Sequence, residues 1–294
     1  MKERSQSNDI LAANLRLLAD EAARHEKKRQ AMAAELAFAF ADAYASLNAE
    51  ERLHRIEREL SAFLDRYALS PLSGEERVAF TKDLQAALDE KGASLALQDL
   101  LPVKEDIPER ISYFRTVYTD EAYEGFASSM HEPTVQYADA FPLSCEDVRS
   151  GLSGYCILPC ENSDGPLPAM TALADRYELF RVALYRVFHA DGENATQFGL
   201  FAEALPAIPA GTSLVLRFSA VADDVGELAL QLSALSHLGV HLLRADVASP
   251  IDEGALPFTL LCSVERAALV FVLIYLRIFA KRLSLRGLYE EVGI

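Results

Sequence analysis

The run Glu161-Asn162-Ser163-Asp164-Gly165 follows an apolar segment, GYCILP (154–159), and sets a carboxylate, an amide and a hydroxyl side by side. If 154–159 is a parallel strand, the run lies at its C-terminal end, where open α/β sheets bind ligands. An Asn-Ser-Asp-Gly string is equally the ordinary chemistry of a turn. Thr196 offers a hydroxyl at the start of a later strand, with an ordinary hydrogen bond as the plain alternative. His189 stands close to Asp191 and Glu193, a grouping open to metal or base chemistry or to a solvated loop. Cys156 and Cys160 share a face if their strand continues through Pro159. No close His or second Cys pair completes a zinc set, so buried thiols are expected. His237 and His241 flank a helix end that His237 is placed to cap.

Elements of three kinds must position these groups. Residues 1 to about 101 read as helix: Leu11, Leu15, Leu18 and Ala22, then Met32, Leu36, Ala43 and Leu47, form an apolar stripe with a polar break at His25 to Arg29. Asn48 with Glu51, and Ser73 with Glu76, are N-caps whose third residue can reach back. They open helices to about Tyr67 and to Lys91, the latter stopped by Gly92. From Ile111 the texture becomes strand–helix–strand–helix–strand. ISYFRTVY (111–118) is followed by a helix capped by Thr119, TVQYA (134–138) by a short helix opened at Ser144 and Asp147, then GYCILP. That order predicts a parallel sheet covered by helices. A helix near 166–176 and strands near 179–189 and 195–204 complete the block. Residues 211 to 294 follow the order βαββαβ of a ferredoxin-like sandwich.

Charge and hydropathy narrow the function. The formal net charge is −16, with 15 Lys and Arg against 20 Asp and Glu up to Asp106 and 13 against 24 after it. Neither part carries the basic stripe that phosphate binding needs, which disfavours nucleic acid as a partner. The charged N-terminus MKERSQSND has no apolar core behind it, and no secretory signal is expected. The apolar stretch Ala267–Ala280, broken by Arg277, falls short of the ~20 residues of a membrane span. Four cysteines make no disulfide framework, and reduced thiols in the cytoplasm are expected.

Three passages, in order, resemble prephenate dehydratase. GYCILPCENSDG is similar to the family's hydrophobic strand ending in Pro-x-Glu-Asn-Ser with a following Gly, and VYTDEAYEGFASS and FPLSCEDVRSG resemble the segments upstream of it. Asn194-Ala195-Thr196-Gln197-Phe198 resembles the family's Asn-x-Thr-Arg-Phe. The C-terminal unit is similar to the ACT domain of that family, through Gly226-Glu227-Leu228, Gly239-Val240-His241-Leu242 and Gly287-Leu288-Tyr289. The resemblance spans roughly 112 to 294. After the helical domain that the periodicity gives (1–106), it implies one βαβ lobe of periplasmic-binding-protein type (107–208) and a ferredoxin-like ACT domain (209–294). It also implies Thr196 as the hydroxyl assisting departure of the substrate hydroxyl, and Asn162 and Ser163 as cleft residues. Gly226, Glu227, Leu228, Asp246, Ser249 and Pro250 match the regulatory amino-acid site. No cofactor or metal is implied.

The departures from the family bear on activity. Only the 30 residues Asp164 to Glu193 separate Ser163 from Asn194, enough for one helix and one strand but not for a second lobe. The family's Arg is Gln197 here, which removes a bidentate carboxylate anchor. Glu227 replaces a small Ala, and the second regulatory motif lacks its Arg. The family at times carries an N-terminal chorismate mutase domain of matching length, but Arg16, Arg29 and Lys82 do not reproduce its converging cations. The expectation is a non-catalytic homodimer, paired through its ACT units and N-terminal helices, that responds to an amino acid or aromatic metabolite and regulates aromatic amino acid biosynthesis. Two alternatives stand beside it: a dehydratase whose site is completed across a dimer, and a structural module with no ligand.

Overall fold

A computed structural model describes residues 2–66, 71–251 and 254–290. The chain divides into two compact units, Met1–Leu95 and Ala96–Ile294. The first contains α1 (Lys2–Tyr44), α2 (Ala49–Arg66) and α3 (Gly74–Glu90). The polar stretch His25 to Arg29 does not interrupt α1; it breaks the apolar stripe and leaves the backbone helical. The buried stripe is Ala33, Ala37 and Ala41, one register away from the larger residues at 32, 36 and 43. Alanines at a spacing of four let α3 approach α1 closely, which Met32 and Leu36 would prevent. The side chains of Leu11, Leu15, Arg16 and Leu18, and the expected helix end at Tyr67, lie outside the described residues.

Both expected caps form. The Asn48 side-chain oxygen accepts the Glu51 N–H at 2.9 Å. At α3 the exchange is reciprocal: Ser73 Oγ accepts from Glu76 N–H at 3.3 Å and Glu76 Oε2 from Ser73 N–H at 2.7 Å. Gly92, with φ +65°, ends that helix as its sequence position predicts.

After the one-turn α4 (Leu97–Leu100), the second unit is built on a single mixed sheet. Its strands are β1 (Arg110–Phe114), β2 (Thr134–Ala138), β3 (Tyr155–Asn162), β4 (Gly165–Pro166), β5 (Phe180–Phe188), β6 (Ala195–Ala202), β7 (Ser213–Ala222), β8 (His241–Val247), β9 (Leu256–Glu265) and β10 (Lys281–Glu290). The order is β2-β1-β3-β6-β5-β10-β7-β9-β8, with β4 on β3. The expected parallel arrangement holds for β2-β1-β3, crossed over by α5 (Val117–Ala127) and α6 (Phe141–Arg149). β6 and β5 are instead antiparallel, because they form one hairpin whose second strand lies against β3.

Four element boundaries differ from the sequence reading: the strand expected over 111–118 ends at Phe114, and Val117 and Tyr118 already belong to α5. α5 is capped by Thr116, not Thr119; Thr119 is the third residue of the box and its hydroxyl donates to the Phe114 carbonyl at 2.8 Å. α6 starts at Phe141 with Pro142 in its first turn, so Ser144 and Asp147 lie inside it. β3 runs on through Pro159 to Asn162, since β6 pairs with it on one side and β4 folds back on the other. As a result Cys156 and Cys160 do share a face, buried with Cys145, Leu158 and Phe201. Burial pushes the Cys156 and Cys160 thiols up and Cys262 to about 12, so all three stay protonated.

The C-terminal half follows the expected βαββαβ order, with α8 (Val225–His237), α9 (Arg266–Phe279) and the strand order β10-β7-β9-β8. That arrangement is ferredoxin-like. On β7, Leu214, Leu216 and Phe218 are buried on one face, while Val215 and Arg217 alternate to the other. α9 is 14 residues long, and among the described residues no helix is long and apolar enough to cross a membrane. The two halves of the sheet meet where Gly287 of β10 runs parallel beside Arg181 of β5.

Candidate functional site

Two places in the second unit carry chemistry. The first is where β3 ends and β6 begins, with Glu161 opposite Gln197. Asn162 closes a turn by accepting the Asp164 N–H at 3.0 Å, and Ser163 Oγ accepts the Ala195 N–H at 3.1 Å. Thr196, 9% exposed, shares a 2.9 Å hydrogen bond with His189 Nε2. The imidazole stacks on Tyr118 of α5, with ring centroids 4.4 Å apart. Asn162, Ser163 and Thr196 thus lie side by side where β3 ends and β6 begins, each already hydrogen-bonded within the protein.

The His189–Asp191–Glu193 grouping resolves as a turn. Asp191 accepts the backbone N–H groups of Asn194 and Glu193, at 3.0 and 3.1 Å, and these bonds hold its carboxyl below the usual range. Among the described residues no carboxylate hydrogen-bonds the other nitrogen of His189, and no group of three His, Cys, Asp or Glu residues is placed to hold a metal. A hydroxyl on an imidazole is the geometry of an activated nucleophile or acid, but here it lacks the third group that orients such a pair.

The second place is a cavity of about 520 Å³ between α7 (Pro168–Arg176), the ends of β3, β5 and β6, and one face of the ferredoxin-like half. α8 covers the other face, where it lines a separate pocket with Leu260 and Cys262. The strands line it with Arg217 and Val215 from β7, Leu243 and Arg244 from β8 and Leu261 from β9, Leu243 and Arg244 both reaching it across a register shift in β8. Arg217, 5% exposed, grips Asp175 of α7 with both terminal nitrogens, at 2.9 and 3.0 Å. Arg244 is bound to Asp246 at 2.9 and 3.0 Å.

Arg181 is different. It is 8% exposed, its guanidinium lies over the rings of Phe201 and Tyr289, and its hydrogen bond runs to the Tyr289 hydroxyl at 3.4 Å. Among the described residues Nε has no partner and no carboxylate lies within 4.0 Å, although Asp175 is close enough to be felt electrostatically. Burial works against its charge, but the hydrogen bond to Tyr289 and the nearby Asp175 carboxylate favour it, and the group stays protonated. Glu161, half-buried, also lines the cavity and has neither an ion pair nor a side-chain hydrogen bond among the described residues.

Of the six residues expected in a regulatory site, Asp246 lines this cavity. Ser249 and Pro250 are exposed in the loop after β8. Gly226, Glu227 and Leu228 sit in the first turn of α8, where Asp224 accepts the Glu227 N–H at 2.8 Å and Gln231 donates to the Glu227 carboxylate at 3.2 Å. Sequence reasoning missed Arg181, Arg217 and Asp175. The available signal was a pair of arginines in otherwise apolar strands, FRVALYRVF and SLVLRFSAVA.

Three solved structures share this architecture at a TM-score of 0.50. GqqA, a novel type of quorum-quenching acylase, is 21% identical and matches over 63% of this chain and 96% of its own. A prephenate dehydratase from Streptococcus mutans is 16% identical, over 61% of this chain and 97% of its own. The fold is prephenate dehydratase-like. The prephenate dehydratase from Arthrobacter aurescens, in complex with L-Phe, is 13% identical over 62% of this chain and 90% of its own. No family model matches the chain, and no curated protein matches it.

Proposed function

We infer that the chain is a non-catalytic, prephenate dehydratase-like protein that binds a small amino acid or aromatic metabolite and regulates aromatic amino acid metabolism. In this reading residues 107–208 are the remnant lobe and residues 209–294 an ACT-like unit, acting in the cytoplasm as a homodimer. The observation that carries it is a separation of room from chemistry. Asn162, Ser163 and Thr196 are spent on turn and side-chain hydrogen bonds, while the 520 Å³ cavity with its buried cation opens among other residues. Residues 164–193 supply β4, α7 and β5 where a second lobe would have to stand, so a dehydration step has no second wall to exclude water.

Ultraviolet detection of phenylpyruvate from prephenate tests the catalytic half of this reading. No product at high protein concentration is expected, and product formation abolished by Thr196→Val overturns it. A thermal-shift panel of phenylalanine, tyrosine, tryptophan and prephenate tests the binding half, because a ligand of the folded state raises the melting temperature. A flat panel favours a ligand-free structural module.

The 2.9 Å contact between His189 and Thr196 favours one second reading, a dehydratase completed across a dimer, in which the imidazole supplies the acid near the leaving hydroxyl.

A further inference from the structure

We propose that the cavity under α7 binds a zwitterionic amino acid with an apolar body, its carboxylate on Arg181 and its ammonium at Glu161. This deepens the sensing reading above and rests on it. The argument is one of charge, residue by residue. Three guanidinium groups line the cavity; Arg217 pairs with Asp175, which Arg286 also approaches at 3.7 Å, and Arg244 pairs with Asp246 on the exposed side. The third, Arg181, is more than nine-tenths buried, and its Nε is without a partner. A buried cation lacking a carboxylate is costly, and an anion entering the cavity relieves that cost. A guanidinium aimed into a cavity matches a carboxylate through two parallel hydrogen bonds.

The second charge selects among carboxylates. Glu161 lines the same cavity from β3, on the far side of β6 from Arg181 on β5, and among the described residues no cation pairs with it. A dicarboxylate would bring a negative group towards it. A zwitterion gives each of these two groups a counter-charge. Leu184, Leu243, Leu261 and Val215 also line the cavity, an apolar wall against which the ligand's hydrocarbon packs. Gln197, across from Glu161 on β6, adds an amide that can accept or donate. This site is distinct from the turn that holds Asn162, Ser163 and Thr196.

Thermal shift and titration calorimetry on the full chain, with matched probes, test the proposal. The zwitterions are leucine, phenylalanine and 5-aminovalerate; the halves are 4-methylvalerate and 3-phenylpropionate, which lack the ammonium, and isoamylamine and phenethylamine, which lack the carboxylate. At least one zwitterion is expected to raise the melting temperature of the wild type, with its halves binding at least tenfold more weakly. Arg181→Met is expected to abolish that shift and leave the ligand-free melting temperature equal or higher, since it removes a buried, unpaired charge. Glu161→Gln, at a half-buried position that tolerates the change, is expected to lose the preference for the zwitterion over the acid lacking an ammonium. A zwitterion shift that survives both substitutions overturns the site and leaves the sensing reading standing. Binding of the acids in preference to the zwitterions overturns the ligand class alone. A wild type that responds to none of the probes, nor to tyrosine, tryptophan or prephenate, overturns both.

Discussion

Glu76 places both carboxylate oxygens on the Arg29 guanidinium, at 2.6 and 2.8 Å, and Arg29 holds its carboxyl below the usual range. A carboxyl lowered by folding contributes stability that is present above its ordinary value of about 4.3 and is lost as pH falls through its lower folded value. Arg29→Met is therefore expected to destabilise the helical unit by about 1.5–3 kcal/mol at pH 7, the worth of hydrogen bonds to a charged group. It should also shrink the further loss on acidifying below about pH 4.5; urea melts followed by circular dichroism at pH 7 and pH 3.5 check both. Thr196→Val removes one hydrogen bond to His189, for about 0.5–1.5 kcal/mol of stability, and is expected to leave ligand binding in the cavity unchanged, as calorimetry would show. Thr196, Asn162 and Ser163 were legible in the sequence because each sits in a local run with its own pattern. Arg181 was not. What encloses it is Tyr289, 108 residues further along the chain, and no window around position 181 carries that information.

Elements were legible where their signals are local. β2 occupies the TVQYA segment, and the Ser73–Glu76 box and Gly92 bracket α3 as their chemistry requires. The run through Pro159, the start of α6 and the direction of β6 were not, because each is decided by a partner strand or by a proline in a first turn. The same holds for the junction that makes one sheet of two halves, where Gly287 meets Arg181. A Cβ at position 287 would stand 3.0 Å from Arg181 Cβ and 3.2 Å from its carbonyl oxygen. Gly287→Ala is accordingly expected to cost about 1–3 kcal/mol through forced separation of β5 and β10, and to weaken the ligand by displacing the Arg181 backbone; denaturant melts and calorimetry on one preparation measure both. Ser73→Ala should cost the helical unit about 1 kcal/mol, as loss of a cap does, and leave the cavity untouched.

At the scale of the molecule, the sheet leaves β8 as an edge, with Leu242 and Val247 exposed on it. An edge strand with unpaired backbone groups and exposed apolar side chains is a template for pairing with a second chain. This supports the homodimer proposed above, and sedimentation equilibrium is expected to give twice the 32.4 kDa chain mass. Replacing Leu242 and Val247 with lysine should return the single-chain mass; a wild type already at that mass removes the dimer from the account. The net charge of −16 and the lack of a basic stripe in the sequence disfavour nucleic acid as a partner. The central claim is that the cavity holds an amino acid and leaves it unchanged. Equilibrium dialysis of labelled leucine or phenylalanine against the full chain tests it most directly. The expected result is close to one amino acid retained per chain, recovered chemically intact, and lost in Arg181→Met. No retention by the wild type, or equal retention by Arg181→Met, would contradict it.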